Sequence, residues 1–219
     1  MGDETTMIAM AEDPEWVEDV AVTFTDLTLR EYEESLRRGA QADGLWIYGD
    51  MAFNHATLCS PAMYRELIWP SHTRLADWAH QHGMKFIYHT DGDVNGVIDL
   101  YMEAGFDCLQ PLEAKANMDL RKLAPRYGDR LAFMGNVDIM VLATNDHTSI
   151  EQEVRAKLEA GMATRGYAYH SDHSIPPSVT LDTFRFVINL LDRYSWYERR
   201  EMCCPAVSYA PSTPSEVAP

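Results

Sequence analysis

Positive charge is scarce in this chain: 18 Lys and Arg stand against 34 Asp and Glu, a formal net charge of −16. Phosphate backbones and anionic membrane surfaces are bound by lysine and arginine, so neither nucleic acid nor membrane is an expected partner. Cysteine is also sparse. Cys59, Cys108, Cys203 and Cys204 form no CxxC pair, which argues against a zinc knuckle or a disulfide scaffold and for a reducing compartment. No stretch approaches the roughly 18 apolar residues of a membrane span. Met1-Gly2-Asp3-Glu4-Thr5 lacks the basic and apolar regions of a secretory leader. A cytoplasmic location is the expectation. No GxGxxG or GxxxxGK[ST] loop follows any apolar run, which excludes the common nucleotide-binding loops.

What the chain does have is 219 residues with 46% hydrophobic content, enough for a full core. Short apolar runs alternate with amphipathic stretches. Asp13-Pro14 opens a first helix, and Gly44-Leu45-Trp46-Ile47-Tyr48-Gly49-Asp50 reads as a strand. Ser60-Pro61 opens a helix that Pro70 kinks or splits. Strands follow at Lys85–His89, Asp107–Leu112, Arg130–Gly135 and Gly166–His170. Between them, Asp93 is set to cap one helix, and Thr148 with Glu151 to form a capping box for another. About five strands separated by helices mean parallel βα units, in either an open sheet or part of a closed barrel. Polar residues follow several different strands: Asp50; His89, Asp91 and Asp93; Glu113; Asn136 and Asp138; His170, Asp172 and His173. Loops that converge on one face of a barrel give that pattern.

These same segments carry a family resemblance. The run ending in Asp50, the Ser60-Pro61-Ala62-Met63-Tyr64-Arg65 helix start, Ile87-Tyr88-His89-Thr90-Asp91-Gly92, and His173-Ser174-Ile175-Pro176 resemble, in order, motifs of the uroporphyrinogen decarboxylase-like family. Ala104-Gly105-Phe106-Asp107 and Tyr127-Gly128-Asp129-Arg130-Leu131 resemble its lead-ins to two strands. The resemblance runs from about Asp13 to about Tyr194. It implies a (β/α)8 TIM barrel, here N-terminally truncated to about five parallel βα units. Residues 1–200 are then a partial barrel domain, and 201–219, rich in proline and small residues, a flexible tail.

On that fold His89 and Asp91 point the same way from one strand end, and His173 faces them across the barrel mouth. Two imidazoles and a carboxylate are a plausible zinc set with an open position; a metal-free polar cluster is the other reading. The resemblance implies that a corrinoid methyltransferase branch places a His-x-Cys pair and a later Cys at these points. Here Asp91 and His173 replace the two cysteines.

The expected catalytic residues are Asp50, His89, Asp91, Glu113 and His173, with His89, Asp91 and His173 as metal ligands. Asn54, His55, Asp93, Asn136, Asp138, His170 and Asp172 are expected to line the substrate site; basic groups are few there, and Lys115 and Arg165, the nearest candidates, are by default solvated. The favoured reaction is metal-assisted methyl or one-carbon transfer, with Zn2+, a corrinoid carrier, a small-molecule substrate and a corrinoid protein or homodimer as partners. Cofactor-free uroporphyrinogen decarboxylation is the alternative, although Met51 stands where the family has a substrate-contacting serine. A non-catalytic fragment is a third reading.

Overall fold

The computed structural model describes residues 2–164 and 166–195; Arg165, Cys203, Cys204 and the expected tail 201–219 lie outside the described residues. Helix α1 (Asp3–Glu12) has no apolar stripe to announce it in the sequence. Helix α2 (Pro14–Arg37) starts as expected, with Asp13 accepting from the Trp16 N–H and Pro14 at the first helical position. Strand β1 (Gly44–Tyr48) leads into a hairpin, β2 (Ala52–Phe53) and β3 (Ala56–Thr57).

Ser60 caps α3 (Pro61–Leu67) through the Met63 N–H. Pro70 has no N–H to continue that helix, so the chain breaks at Ile68 and restarts as α4 (Trp69–Gln81). Then come β4 (Lys85–Thr90), α5 (Ile98–Glu103), β5 (Cys108–Pro111), a 3-10 turn (Ala114–Ala116), α6 (Leu120–Tyr127), β6 (Ala132–Met134), α7 (Ile139–Ala143), α8 (His147–Met162), β7 (Tyr167–Ala168) and α9 (Leu181–Tyr194).

Two helix starts differ from expectation. Asp93 bonds the Asn95 N–H in a local turn, and α5 begins only at Ile98. The box of Thr148 and Glu151 does not form, because Asp146 accepts from Ser149 and starts α8 at His147. An aspartate is the stronger helix-start acceptor than a threonine.

Five strands form one parallel sheet in the order β1-β4-β5-β6-β7. The order follows the chain without reversal, unlike a doubly wound sheet with its switch point. The sheet stays open among the described residues and does not close into an eight-stranded barrel. One face is the core: Leu45, Phe86, Tyr88, Leu109 and Phe133 are buried beneath the helices. Trp46 and Tyr48, on the alternate positions of β1, are exposed. No helix among the described residues is long and apolar enough to cross a membrane.

Candidate active site

Strand register builds the site. Tyr48, His89 and Gln110 lie side by side on β1, β4 and β5, and residues in register on parallel neighbours share a face. The Tyr48 and His89 rings stack with centroids 4.1 Å apart. His89 Nδ1–H donates to Gln110 Oε1 at 2.5 Å, and Gln110 is buried. That bond commits Nδ1–H to Gln110 and sets the orientation of the ring. Nε2 lies 3.6 Å from Asp50 Oδ1 and 4.0 Å from Asp91 Oδ2. Asp50 is itself placed by the Asp91 N–H, which donates to Asp50 Oδ1 at 3.0 Å.

The loops after β4 and β5 and the segment beyond β7 complete the cluster. Glu113 is buried: Oε2 accepts from the Gly92 N–H at 2.8 Å, while Oε1 lies 3.2 Å from His173 Nε2 and 3.4 Å from Lys115 Nζ. Burial alone would raise its pKa, but the Gly92 bond, His173 and Lys115 outweigh it and hold the carboxyl below its ordinary value. Asp91 goes the other way. Partial burial pushes its pKa up, helped by the carboxylates of Asp50 and Glu113 and opposed by His89 and His173. Its Oδ1 is enclosed without a hydrogen-bond partner among the described residues.

Two triplets of ligand-type side chains result, Asp50–His89–Asp91 and Asp91–Glu113–His173, each with its donor atoms within 4.8 Å of one another. The five expected catalytic residues therefore meet at one place. The expected metal triad of His89, Asp91 and His173 is not one of the groupings. Gln110 and Tyr48 turn His89 toward Asp50, so Asp91 is the shared member and Glu113 stands with His173.

The expected substrate-lining residues divide. His170 sits at the edge of the cluster, its Nδ1 3.5 Å from Gln110 Nε2 and in short contact with the Ser171 carbonyl. Asn54 and His55 are exposed at the tip of the β2–β3 hairpin. Asp93 is occupied by Asn95 and Asn117. Asp138 caps α7 through the Met140 N–H.

Asn136 and Asp172 are fully buried and serve the backbone. Asn136 accepts from the Leu120 N–H and donates to the carbonyls of Leu112 and Met118. Asp172 accepts from the N–H groups of Ile139 and Ala114, 2.8 and 3.0 Å away. Neither has a free polar atom for a substrate, because burial obliges both to satisfy loop backbone. Gln110 and Tyr48, in contrast, belong to the site and carry no signal as site residues.

Comparison with known proteins bears on the family and the fold. The family profile described as "Uroporphyrinogen decarboxylase (URO-D)" matches residues 1–194. A uroporphyrinogen decarboxylase from Pelobacter propionicus is 27% identical over 138 residues, 63% of this chain and 39% of that protein. A solved methyltransferase from Methanosarcina mazei superposes with a TM-score of 0.70 at 19% identity, covering 87% of this chain and 53% of that one. The chain thus spans well under two thirds of either relative, and the second likeness is one of fold.

Proposed function

The chain belongs to the uroporphyrinogen decarboxylase family, and from that premise we propose that it carries the carboxylate and imidazole part of a barrel-type site that decarboxylates a pyrrole acetate without a cofactor. Residues 1–200 act as one partial (β/α)8 unit in this reading.

The observation that carries it is the surroundings of Asp91, a carboxyl ringed by two imidazoles and two further carboxylates. The pKa values of Asp91 and Glu113 are pushed apart, the condition under which one carboxyl keeps a proton to give while its neighbour stays charged. In the reaction the Asp91 carboxyl donates its proton to a ring carbon of the pyrrole, and the ring becomes cationic. The bond between the side-chain methylene and its carboxylate then breaks, its electron pair returns to the ring, and CO2 leaves. The methylene carbon takes up a second proton, drawn from solvent, and becomes methyl, and the ring carbon returns its own proton to Asp91, so that one solvent proton is consumed for each CO2 released. Glu113, whose carboxyl is held below its ordinary pKa, stabilises the cationic ring as it forms. His89, held by Gln110, keeps its Nε2 against the carboxyl groups of Asp50 and Asp91.

The test is anaerobic incubation of the protein with uroporphyrinogen, before and after exhaustive chelation, with CO2 and the methylated product measured. Product that persists after chelation and disappears in Asp91→Asn supports the reading; no consumption of substrate by the active-site-intact protein ends it.

A second reading has its own observation. Asp91 Oδ1 lacks a partner among the described residues, and His89, held at Nδ1 by Gln110, turns Nε2 toward Asp50 and Asp91. Such a donor set fits zinc or a harder divalent ion rather than a thiolate-type site. Asp50, His89 and Asp91, or Asp91, Glu113 and His173, would hold the ion, which when bound supplies Lewis acidity. Methyl transfer to a corrinoid carrier is the reaction this would serve. About one metal per chain, with turnover lost on chelation, would favour it over the first.

A further inference from the structure

Glu113 is the most constrained of the cluster carboxylates, and much of what constrains it lies outside the cluster. The residue before it, Leu112, has a left-handed backbone, φ 61°, a conformation costly for a leucine that surrounding bonds must hold. Its carbonyl accepts from Asn136 Nδ2 at 2.7 Å. The residue after it, Ala114, has its N–H held by Asp172. Asn136 in turn is bonded by Lys157 on α8, whose Nζ donates to Asn136 Oδ1 at 2.6 Å.

Lys157 is only 4% exposed. Its nearest carboxylates, Asp119 and Glu153, are each 3.7 Å away, so the Asn136 amide oxygen is its closest partner. A lysine is rarely buried unless its charge has a structural or chemical use. Here the ammonium and the Leu120 N–H both claim the amide oxygen of Asn136. The amide can then take only one orientation, with its NH2 toward the carbonyls of Leu112 and Met118.

We propose that Lys157 is a positioning residue: acting through Asn136 and Leu112, it fixes the main chain at Glu113 and so keeps the Glu113 carboxylate on the Gly92 N–H and beside His173. It rests on Glu113 belonging to the site, not on the reaction assigned to the site, so its test reads geometry.

The Gly92 N–H reports on the Glu113 carboxylate directly, and the Phe133 N–H, bonded to the Gly166 carbonyl in the sheet, reports on the fold. In Lys157→Met the Gly92 amide resonance should move away from its hydrogen-bonded position. Its hydrogen exchange should accelerate by about tenfold or more while that of Phe133 stays unchanged, as for a local opening. Asn136→Asp is the second variant. It keeps a partner for Lys157 and an acceptor for Leu120, but has no N–H for Leu112, and it should give the same pattern even if Lys157→Met does not fold. An unchanged Gly92 amide in either folded variant overturns the proposal. So does equal acceleration at Gly92 and Phe133, which would make Lys157 a residue of general stability.

Discussion

His89 Nδ1 and Gln110 Oε1 are 2.5 Å apart across two neighbouring strands, and this contact decides what the other nitrogen of His89 faces. With Nδ1–H committed to Gln110, Nε2 is turned to Asp50 and Asp91.

Replacing Gln110 by methionine keeps the side-chain volume and removes the acceptor. The ring is then free to rotate or change tautomer, and partners of this kind are worth roughly 10–100-fold in activity. Gln110→Met should therefore lower kcat by about tenfold or more with KM little changed, as measured by steady-state kinetics. A kcat equal to that of the parent protein would mean that His89 needs no orienting partner.

Asp91 sets function against stability. Its pKa is raised in the folded protein by partial burial, so its protonated form is compatible with the fold and its ionised form opposes it. Asp91 thus contributes stability at pH values below its unfolded pKa, and that contribution is lost as pH rises through the folded value. Asp91→Asn should abolish turnover yet raise Tm at pH 7, and the gain in Tm should shrink as pH is lowered into the range where the parent carboxyl is protonated. Thermal melts at several pH values check this; a variant that melts lower at pH 7 would contradict it.

The meeting of Asp50, His89, Asp91, Glu113 and His173 in one candidate cluster is legible because each follows a strand, and strand ends on one side of a parallel sheet meet. Asn136 and Asp172 follow strands too, but the fold spends them on buried loop backbone. Sequence alone does not tell a polar side chain that faces a cavity from one that faces a loop. Gln110 was hidden for the opposite reason: it sits inside an apolar run, and only the register beside His89 gives it a role. Five parallel strands are readable from the alternation of elements, while their order is not, since an open sheet and a barrel piece share that alternation; α1, with no apolar stripe, is not readable either.

His72 is enclosed by Tyr64, Tyr88 and Phe106 and shares a 2.7 Å hydrogen bond with Tyr64. Burial lowers its pKa to about 3 from the ordinary 6.5. A depressed histidine gives stability that is fully present above the unfolded pKa and is lost as pH falls toward the folded one. The protein should therefore lose stability progressively between pH 6.5 and about 3. His72→Gln keeps a polar partner for Tyr64 but cannot titrate, so denaturant unfolding of that variant should show a flatter pH dependence over this window. Parallel curves would assign the acid lability to other groups.

The ends of β5 and β6 approach so closely that only glycine fits at position 135. Gly135 has φ 127°, and an added Cβ would lie 1.8 Å from the Pro111 carbonyl oxygen. Both the backbone angle and the contact oppose any side chain, and neither can relax without moving the strand that leads into Leu112 and Glu113. Gly135 also receives the Tyr167 hydroxyl on its carbonyl at 2.8 Å, so a shift there would loosen β7 as well. Gly135→Ala should cost about 4 kcal/mol or more, in the range reserved for severe steric defects. Gly96, where a Cβ meets nothing within 4 Å, is the control: Gly96→Ala should stay within about 0.5 kcal/mol of the parent protein. Denaturant unfolding of the two variants side by side measures the difference, and equal stabilities would mean that the strand ends can separate freely.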